Sequence, residues 1–183
     1  MTGRLFALVG PSGAGKDTLL AGARARRPDL AVVRRVITRP EAAGGEDFEG
    51  VTEAVFDARL DAGAFALHWR AHGLRYGIPL AQLAPLRAGR DVIFNGSRQA
   101  LPLAQARFPG LTVILVTAPV PVLAERLAMR GRETRAGIEA RLTRAGFALP
   151  GGIAARKVVN DGPPGQGVAR FLAALQAESD SDA

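Results

Sequence analysis

The chain of 183 residues contains no cysteine, which excludes a disulfide framework, a thiolate metal site and a cysteine nucleophile, and suits a reducing cytoplasm. Histidine is almost as scarce. His68 and His72 are the only two, and neither has partners at metal-ligand spacing, so neither zinc nor histidine catalysis is expected. No apolar run approaches the roughly 20 residues that span a bilayer, and the N-terminus has no basic segment ahead of an apolar signal core. A soluble, unexported, cytoplasmic protein with no membrane partner is expected. Aromatic residues are few, with one tryptophan and one tyrosine. The net charge of +7 therefore does not describe a nucleic-acid surface, because the arginines are scattered and are not gathered in a stripe with interleaved aromatics. That charge suits small, highly anionic substrates, and nucleic acid is not expected as a partner. The sequence assigns no oligomeric state.

Lysine is present twice against 22 arginines, and one of the two is Lys16, in the run Gly10-Pro11-Ser12-Gly13-Ala14-Gly15-Lys16-Asp17-Thr18. The run follows the apolar stretch Leu5–Val9 and opens another apolar-rich segment, the strand, glycine loop and helix of a P-loop. Glycines at 10, 13 and 15 let backbone N–H groups turn inward around phosphate oxygens at the positive end of the following helix. Lys16 adds a mobile point charge that arginine's rigid fork would fit poorly. One position departs from the general pattern: Asp17 stands where a serine or threonine hydroxyl would hold the metal ion.

The length predicts one domain spanning 1–183. Strand-like runs at Leu5–Val9, Ala31–Thr38, Asp91–Asn95, Leu111–Thr117 and Arg156–Asn160 alternate with helical patterns, which predicts an α/β fold with a parallel five-stranded core sheet flanked by helices. The first helix is expected from about Thr18 to Arg27, stopped by Pro28. In the last, Val168, Phe171, Leu172 and Leu175 form a core stripe. Two stretches interrupt the alternation. Residues 39–79 read as an insertion, with a helix capped by Thr52 and ending at Gly63, and two short strands around His72-Gly73. Residues 126–144 gather Arg126, Arg130, Arg132, Arg135, Arg141 and Arg144, a like-charged helical surface that is unfavourable unless anions sit against it. Trp69 is expected to pack in the insertion, and the acidic tail 178–183 to fray.

The P-loop, the basic insertion and the late arginine cluster together resemble nucleoside monophosphate kinases, guanylate kinase in particular. Pro11 to Lys16, Thr38-Arg39-Pro40, Tyr76-Gly77-Ile78-Pro79, Arg126-Leu127, Arg130-Gly131-Arg132-Glu133, Arg141-Leu142 and Asn160-Asp161 carry the likeness. The guanine-reading part does not follow: Gly45-Glu46-Asp47-Phe48 keeps no tyrosine, and Asn95-Gly96-Ser97-Arg98 stands where that family has Asp-x-Asp. A closer resemblance runs through Gly15-Lys16-Asp17, Ile37-Thr38-Arg39, the segment from Trp69 to Gly77, and Asn95-Gly96-Ser97-Arg98. It is to the ribose 1,5-bisphosphate phosphokinases of bacterial phosphonate utilisation.

This resemblance implies transfer of the ATP γ-phosphoryl group to the 1-phosphate of ribose 1,5-bisphosphate, giving 5-phosphoribosyl 1-diphosphate, with ATP and Mg²⁺ as cofactors. It implies that Gly10 to Thr18 hold the nucleotide and that Arg39, Tyr76, Asn95 and Arg98 bind the phosphorylated sugar. Lys16, Arg130, Arg132 and Arg141 would neutralise charge on the transferring group, the last three from an arginine-rich lid over about 126–144. Arg126, Arg135 and Arg144 read more simply as solvated helix-face charges. Asp17 has two readings: it supplies metal-side charge that Asn95 lacks, or it caps the helix while Asn95-Gly96 marks a turn. A guanylate-type kinase and a non-catalytic binding module remain the alternatives.

Overall fold

The computed structural model describes residues 3–43, 46–129, 137–139, 142–143 and 148–177. Strand β1 (Leu5–Val9) is buried along its whole length, which is why its sequence shows no polar alternation: a parallel strand covered on both faces needs apolar residues at every position. Phe6 and Leu8 enter one core cluster with helix α1 (Lys16–Arg26) and helix α5 (Pro164–Gln176). Leu5, Ala7 and Val9 enter the other, with helix α3 (Leu101–Arg107). Within α5, Val168, Phe171 and Leu175 are buried and Leu172 packs beside them, the stripe expected from the sequence.

The core sheet has the order β2-β7-β1-β8-β9, formed by β1 with β2 (Ala31–Val32), β7 (Val92–Asn95), β8 (Thr112–Thr117) and β9 (Arg156–Val159). Every pair in it is parallel. Helix α4 (Val120–Ala128) follows β8 and covers the α1 side through Leu123 and Ala124. Leu8 lies opposite Asn95, so β1 and β7 finish level, and the glycine loop leaves the sheet beside the end of β7. In open parallel sheets, this carboxyl edge is where ligands bind.

A second sheet, β4-β3-β6-β5, rests on one side of the core sheet. It contains β3 (Arg35–Ile37), β4 (Phe48–Gly50), β5 (Phe65–Ala71) and β6 (Leu74–Pro79). The hairpin β5–β6 turns at His72 and Gly73, with φ of 51° and 73°, the doubly left-handed turn that suits strand twist. Helix α2 (Glu53–Asp61) is capped by Thr52, whose Oγ1 accepts from the Val55 N–H at 3.3 Å. Trp69 is buried, a packing residue as expected. No helix among the described residues is long and apolar enough to cross a membrane.

One expected element is corrected. The apolar run Ala31–Thr38 is not a single strand but two, β2 in the core sheet and β3 in the second. The break falls at Arg34, whose backbone N–H donates to Gln82 Oε1 at 2.7 Å while its carbonyl accepts from Gln82 Nε2 at 2.9 Å. A side-chain amide thus satisfies this peptide in place of a neighbouring strand, and the chain crosses from one sheet to the other.

Candidate active site

The glycine loop is positioned by β1 and α1, and its shape depends on two close approaches. At Gly10 (φ 154°) a Cβ would lie 2.2 Å from the Val116 carbonyl oxygen, and at Gly15 (φ 87°) one would lie 2.5 Å from Asn160 Nδ2. No other residue fits either place. Three side chains donate to the loop's carbonyls. Lys16 Nζ donates to Gly10 O at 2.9 Å and to Pro11 O at 3.1 Å. Asn160 Nδ2 donates to Ala14 O at 2.8 Å. Arg126 Nη1 donates to Gly13 O at 3.4 Å and to Asn160 O at 3.0 Å.

A cavity of about 200 Å³ opens beside the loop. Ser12, Gly13 and Gly15 line one wall with Lys16, Asp17 and Thr18; Arg39, Glu46 and Asn95 line the other. The structure thus brings most of the expected loop residues to a common space with Arg39 and Asn95. Gly10, Pro11 and Ala14 form the loop's base without lining the cavity. Tyr76 and Arg98 do not line it either. Tyr76 stacks on Trp69, ring centroids 5.4 Å apart and planes 4° from parallel, while Arg98 starts the short 3₁₀ turn after β7, 3.5 Å from Ala148 O. Arg130, Arg132, Arg135, Arg141 and Arg144 lie outside the described residues, as does the tail 178–183.

Asp17 is exposed in the first turn of α1, while the N-cap position belongs to Gly15, so Asp17 is not the N-cap residue and its place suits charge complementarity with the helix N-terminus. Among the described residues no three His, Asp or Glu gather as a metal cage. The donor set of the cavity, the Asp17 carboxylate with the Ser12 and Thr18 hydroxyls, fits instead a cation that takes one carboxylate and fills its other positions with phosphate and water, the habit of Mg²⁺. Beside the loop, the Arg170 side chain donates to Asp161 at 2.7 Å and holds that carboxyl below its ordinary range.

Four residues of the site go beyond the sequence reading. Arg126 is no solvated charge: it is half-buried and holds the loop and the end of β9 together. Asn160, noted before only as part of a resemblance, is buried against Ala14. Glu46 accepts from Arg35 Nη2 with one carboxylate oxygen and from Asn95 Nδ2, at 2.9 Å, with the other. Arg35 is itself buried, its guanidinium 5.1 Å from the Tyr76 ring centroid and 5.7 Å from that of Trp69. The carboxylate facing Asn95 is therefore that of Glu46. A signal for half of the pair existed: a charge inside the apolar run Val32–Ile37 needs a partner if it is buried, but Arg34 and Arg35 both stand there and Glu41, Glu46, Asp47 and Glu49 all follow, so the sequence did not single out Glu46.

No family model matches the sequence. Among curated proteins, the chain is 49% identical over 178 residues to a ribose 1,5-bisphosphate phosphokinase PhnN of Ruegeria sp. strain TM1040, covering 96% of this chain and 93% of that one. It is 50% identical over 163 residues to the protein of the same name from Chromobacterium violaceum, covering 88% and 87%. A bifunctional ribose 1,5-bisphosphokinase-thymidine phosphorylase of Cupriavidus necator is 48% identical over 176 residues; the match takes in 96% of this chain but only 29% of that longer protein. Among solved structures, a guanylate kinase from Anaplasma phagocytophilum superposes with a TM-score of 0.70 at 19% identity, covering 98% of this chain and 88% of the other. A gluconokinase from Sinorhizobium meliloti superposes at 0.53 and 18% identity, over 95% and 91%. These two likenesses concern the fold: an α/β P-loop architecture with a guanylate-kinase-like arrangement.

Proposed function

The chain belongs to the ribose 1,5-bisphosphate phosphokinase family, and on that premise we propose that it transfers the γ-phosphoryl group of ATP to the 1-phosphate of ribose 1,5-bisphosphate. The products are ADP and 5-phosphoribosyl 1-diphosphate, and the setting is cytoplasmic phosphonate catabolism. The observation that carries this reading to the site is the cavity wall opposite the phosphate loop: Arg39, Glu46 and Asn95, with no aromatic side chain among the described lining residues. Such a wall suits a polar, phosphorylated sugar and offers no platform for a purine.

In the proposed reaction an oxygen of the acceptor's 1-phosphate attacks the γ-phosphorus, and the bond from that phosphorus to the β–γ bridging oxygen breaks, its electrons leaving with ADP. Little covalent chemistry is asked of the protein, which aligns two polyanions and neutralises their charge. Lys16 Nζ exchanges its two carbonyl acceptors for β- and γ-phosphate oxygens, and the N–H groups of Ser12 and Gly15 donate to the nucleotide phosphates. Arg39 takes an acceptor phosphate beside Asn95, and Tyr76 and Arg98, which stand outside the cavity lining, are assigned to that side on the family pattern. Arg130, Arg132 and Arg141 are assigned to the transferring group from a lid, on the family pattern. Asp17 and Thr18 would hold Mg²⁺, which supplies charge neutralisation between the phosphates when bound. The chain works as one domain, with residues 39–79 presenting the acceptor.

The test is phosphoryl transfer from ATP to ribose 1,5-bisphosphate and to GMP in parallel, following 5-phosphoribosyl 1-diphosphate directly. Turnover of the sugar and not of GMP is expected. Turnover of GMP alone would replace this reading with a guanylate-type kinase, and ATP binding with no transfer to either would replace it with a binding module.

A further inference from the structure

Glu46 places a carboxylate in a cavity built for polyanions. A negative charge there repels phosphate, so it needs hydrogen-bond donors. Two are supplied by the protein. Arg35, 9% exposed at its side chain, is fixed by the Trp69–Tyr76 stack beneath its guanidinium and donates to one carboxylate oxygen, while the Asn95 amide at the end of β7 donates to the other. A carboxylate offers about four acceptor directions, and among the described residues these two donors are its only hydrogen-bond partners. The remaining capacity belongs to a group that lines the cavity and is held rigid from behind.

We propose that Glu46 is the residue that reads the sugar. Its carboxylate accepts hydrogen bonds from the vicinal ring hydroxyls of the acceptor, so the site selects a phosphorylated pentose with both hydroxyls over its deoxy analogue. The inference rests on the proposed function and adds a specificity element to it. Donor-rich, uncharged and adjacent hydroxyls are the chemistry a pre-oriented carboxylate recognises, and they allow the negative group to sit among phosphates without opposing the bound state. An analogue lacking one hydroxyl leaves part of the half-buried carboxylate unsatisfied, the situation in which hydrogen-bonding sites discriminate strongly.

The experiment measures kcat/KM for ribose 1,5-bisphosphate and for 2-deoxyribose 1,5-bisphosphate with the unaltered protein, Glu46→Gln and Asn95→Ala, with thermal transitions recorded for each. The unaltered protein is expected to prefer the ribose compound by roughly 30-fold or more. Glu46→Gln should lose about that factor on the ribose compound and less than about threefold on the deoxy compound, so that the preference collapses. Equal losses on both sugars would reduce Glu46 to a bridge between the two sheets and overturn the inference, with the proposed function standing. If Glu46→Gln does not fold, Asn95→Ala decides, since it keeps the Arg35–Glu46 pair and loosens the carboxylate. A preference lowered about fivefold supports the inference, and an unchanged one overturns it. If the unaltered protein turns over neither sugar but phosphorylates GMP, the proposed function fails and the inference falls with it.

Discussion

Strand β7 carries a partly buried arginine–carboxylate network at each end, and the two differ in what they leave over. Before its first residue, Asp91 accepts from the Arg4 backbone N–H at 3.0 Å, from Arg4 Nε at 3.3 Å and Nη2 at 2.8 Å, and from both Arg27 Nη atoms at 3.3 Å. That carboxylate is saturated. Its partners tie the N-terminal segment and the end of α1 to the amino edge of the sheet, far from any phosphate-binding element. At the carboxyl edge, Glu46 is held by two donors among the described residues and faces a cavity. Equal chemistry thus serves architecture at one end and recognition at the other, and the distinction lies in unfilled hydrogen-bond capacity rather than in residue type.

The sharpest separation of the two ends comes from Lys16→Ala. Loss of roughly 1,000-fold in kcat is expected, the scale of removing a charge-stabilising group from the transition state. The melting temperature should change little, because the Lys16 ammonium is part-buried and its bonds to the Gly10 and Pro11 carbonyls are ones that water can also satisfy. Wild-type activity in this variant would remove the loop from the mechanism. Asp91→Ala should do the reverse. It strands the partly buried Arg4 and Arg27 guanidiniums and costs about 2–3 kcal/mol, a fall of roughly 4–12 °C in Tm for a chain of this size. KM for both substrates should stay within twofold at a temperature where the variant is folded, and a large KM change would break the division between the two ends.

Gly15→Ala is expected to affect both quantities at once, since it combines a left-handed backbone with a contact of 2.5 Å to Asn160 Nδ2. A loss of about 1–2 kcal/mol in stability accompanied by weaker ATP binding, read by calorimetry, is the expected pair. The smallest effect concerns pH. Burial alone would raise the Asp91 carboxyl, but hydrogen bonds from the Arg4 side chain and backbone, with the charges of Arg4 and Arg27, hold it below its ordinary range. A depressed carboxyl contributes stability that is fully present above its unfolded pKa, near 3.9, and that disappears as the pH falls through the lower folded value. Urea midpoints measured from pH 7 down to pH 3 should therefore fall less steeply for Asp91→Asn than for the unaltered protein. Parallel curves would show that Asp91 is not part of the acid sensitivity.

The glycine loop, the alternation of strands and helices, the Thr52 cap and the His72-Gly73 turn were all legible, because each is decided by residues adjacent in the chain. The break at Arg34 was not. The run Ala31–Thr38 is uniformly suited to strand, and what divides it is Gln82, 48 positions away. Arg126 was misjudged for a related reason. On a helical wheel it resembles any solvated arginine, and only the packing of α4 beside the loop shows that its guanidinium reaches two backbone carbonyls.

From the sequence alone came the donor side of this protein. Residues 10–18 are contiguous, so their glycine spacing, their lysine and the preceding strand already define a phosphate cradle before anything else folds around it. The acceptor side was decided only in three dimensions. Arg35 lies in β3, Asn95 ends β7 and Glu46 sits in the loop before β4, and each taken singly is an ordinary charged or polar residue. Their meaning arises when burial removes water and obliges each polar group to find a partner, and the Glu46 carboxylate, with acceptor capacity to spare, ends across the cavity from the phosphate loop.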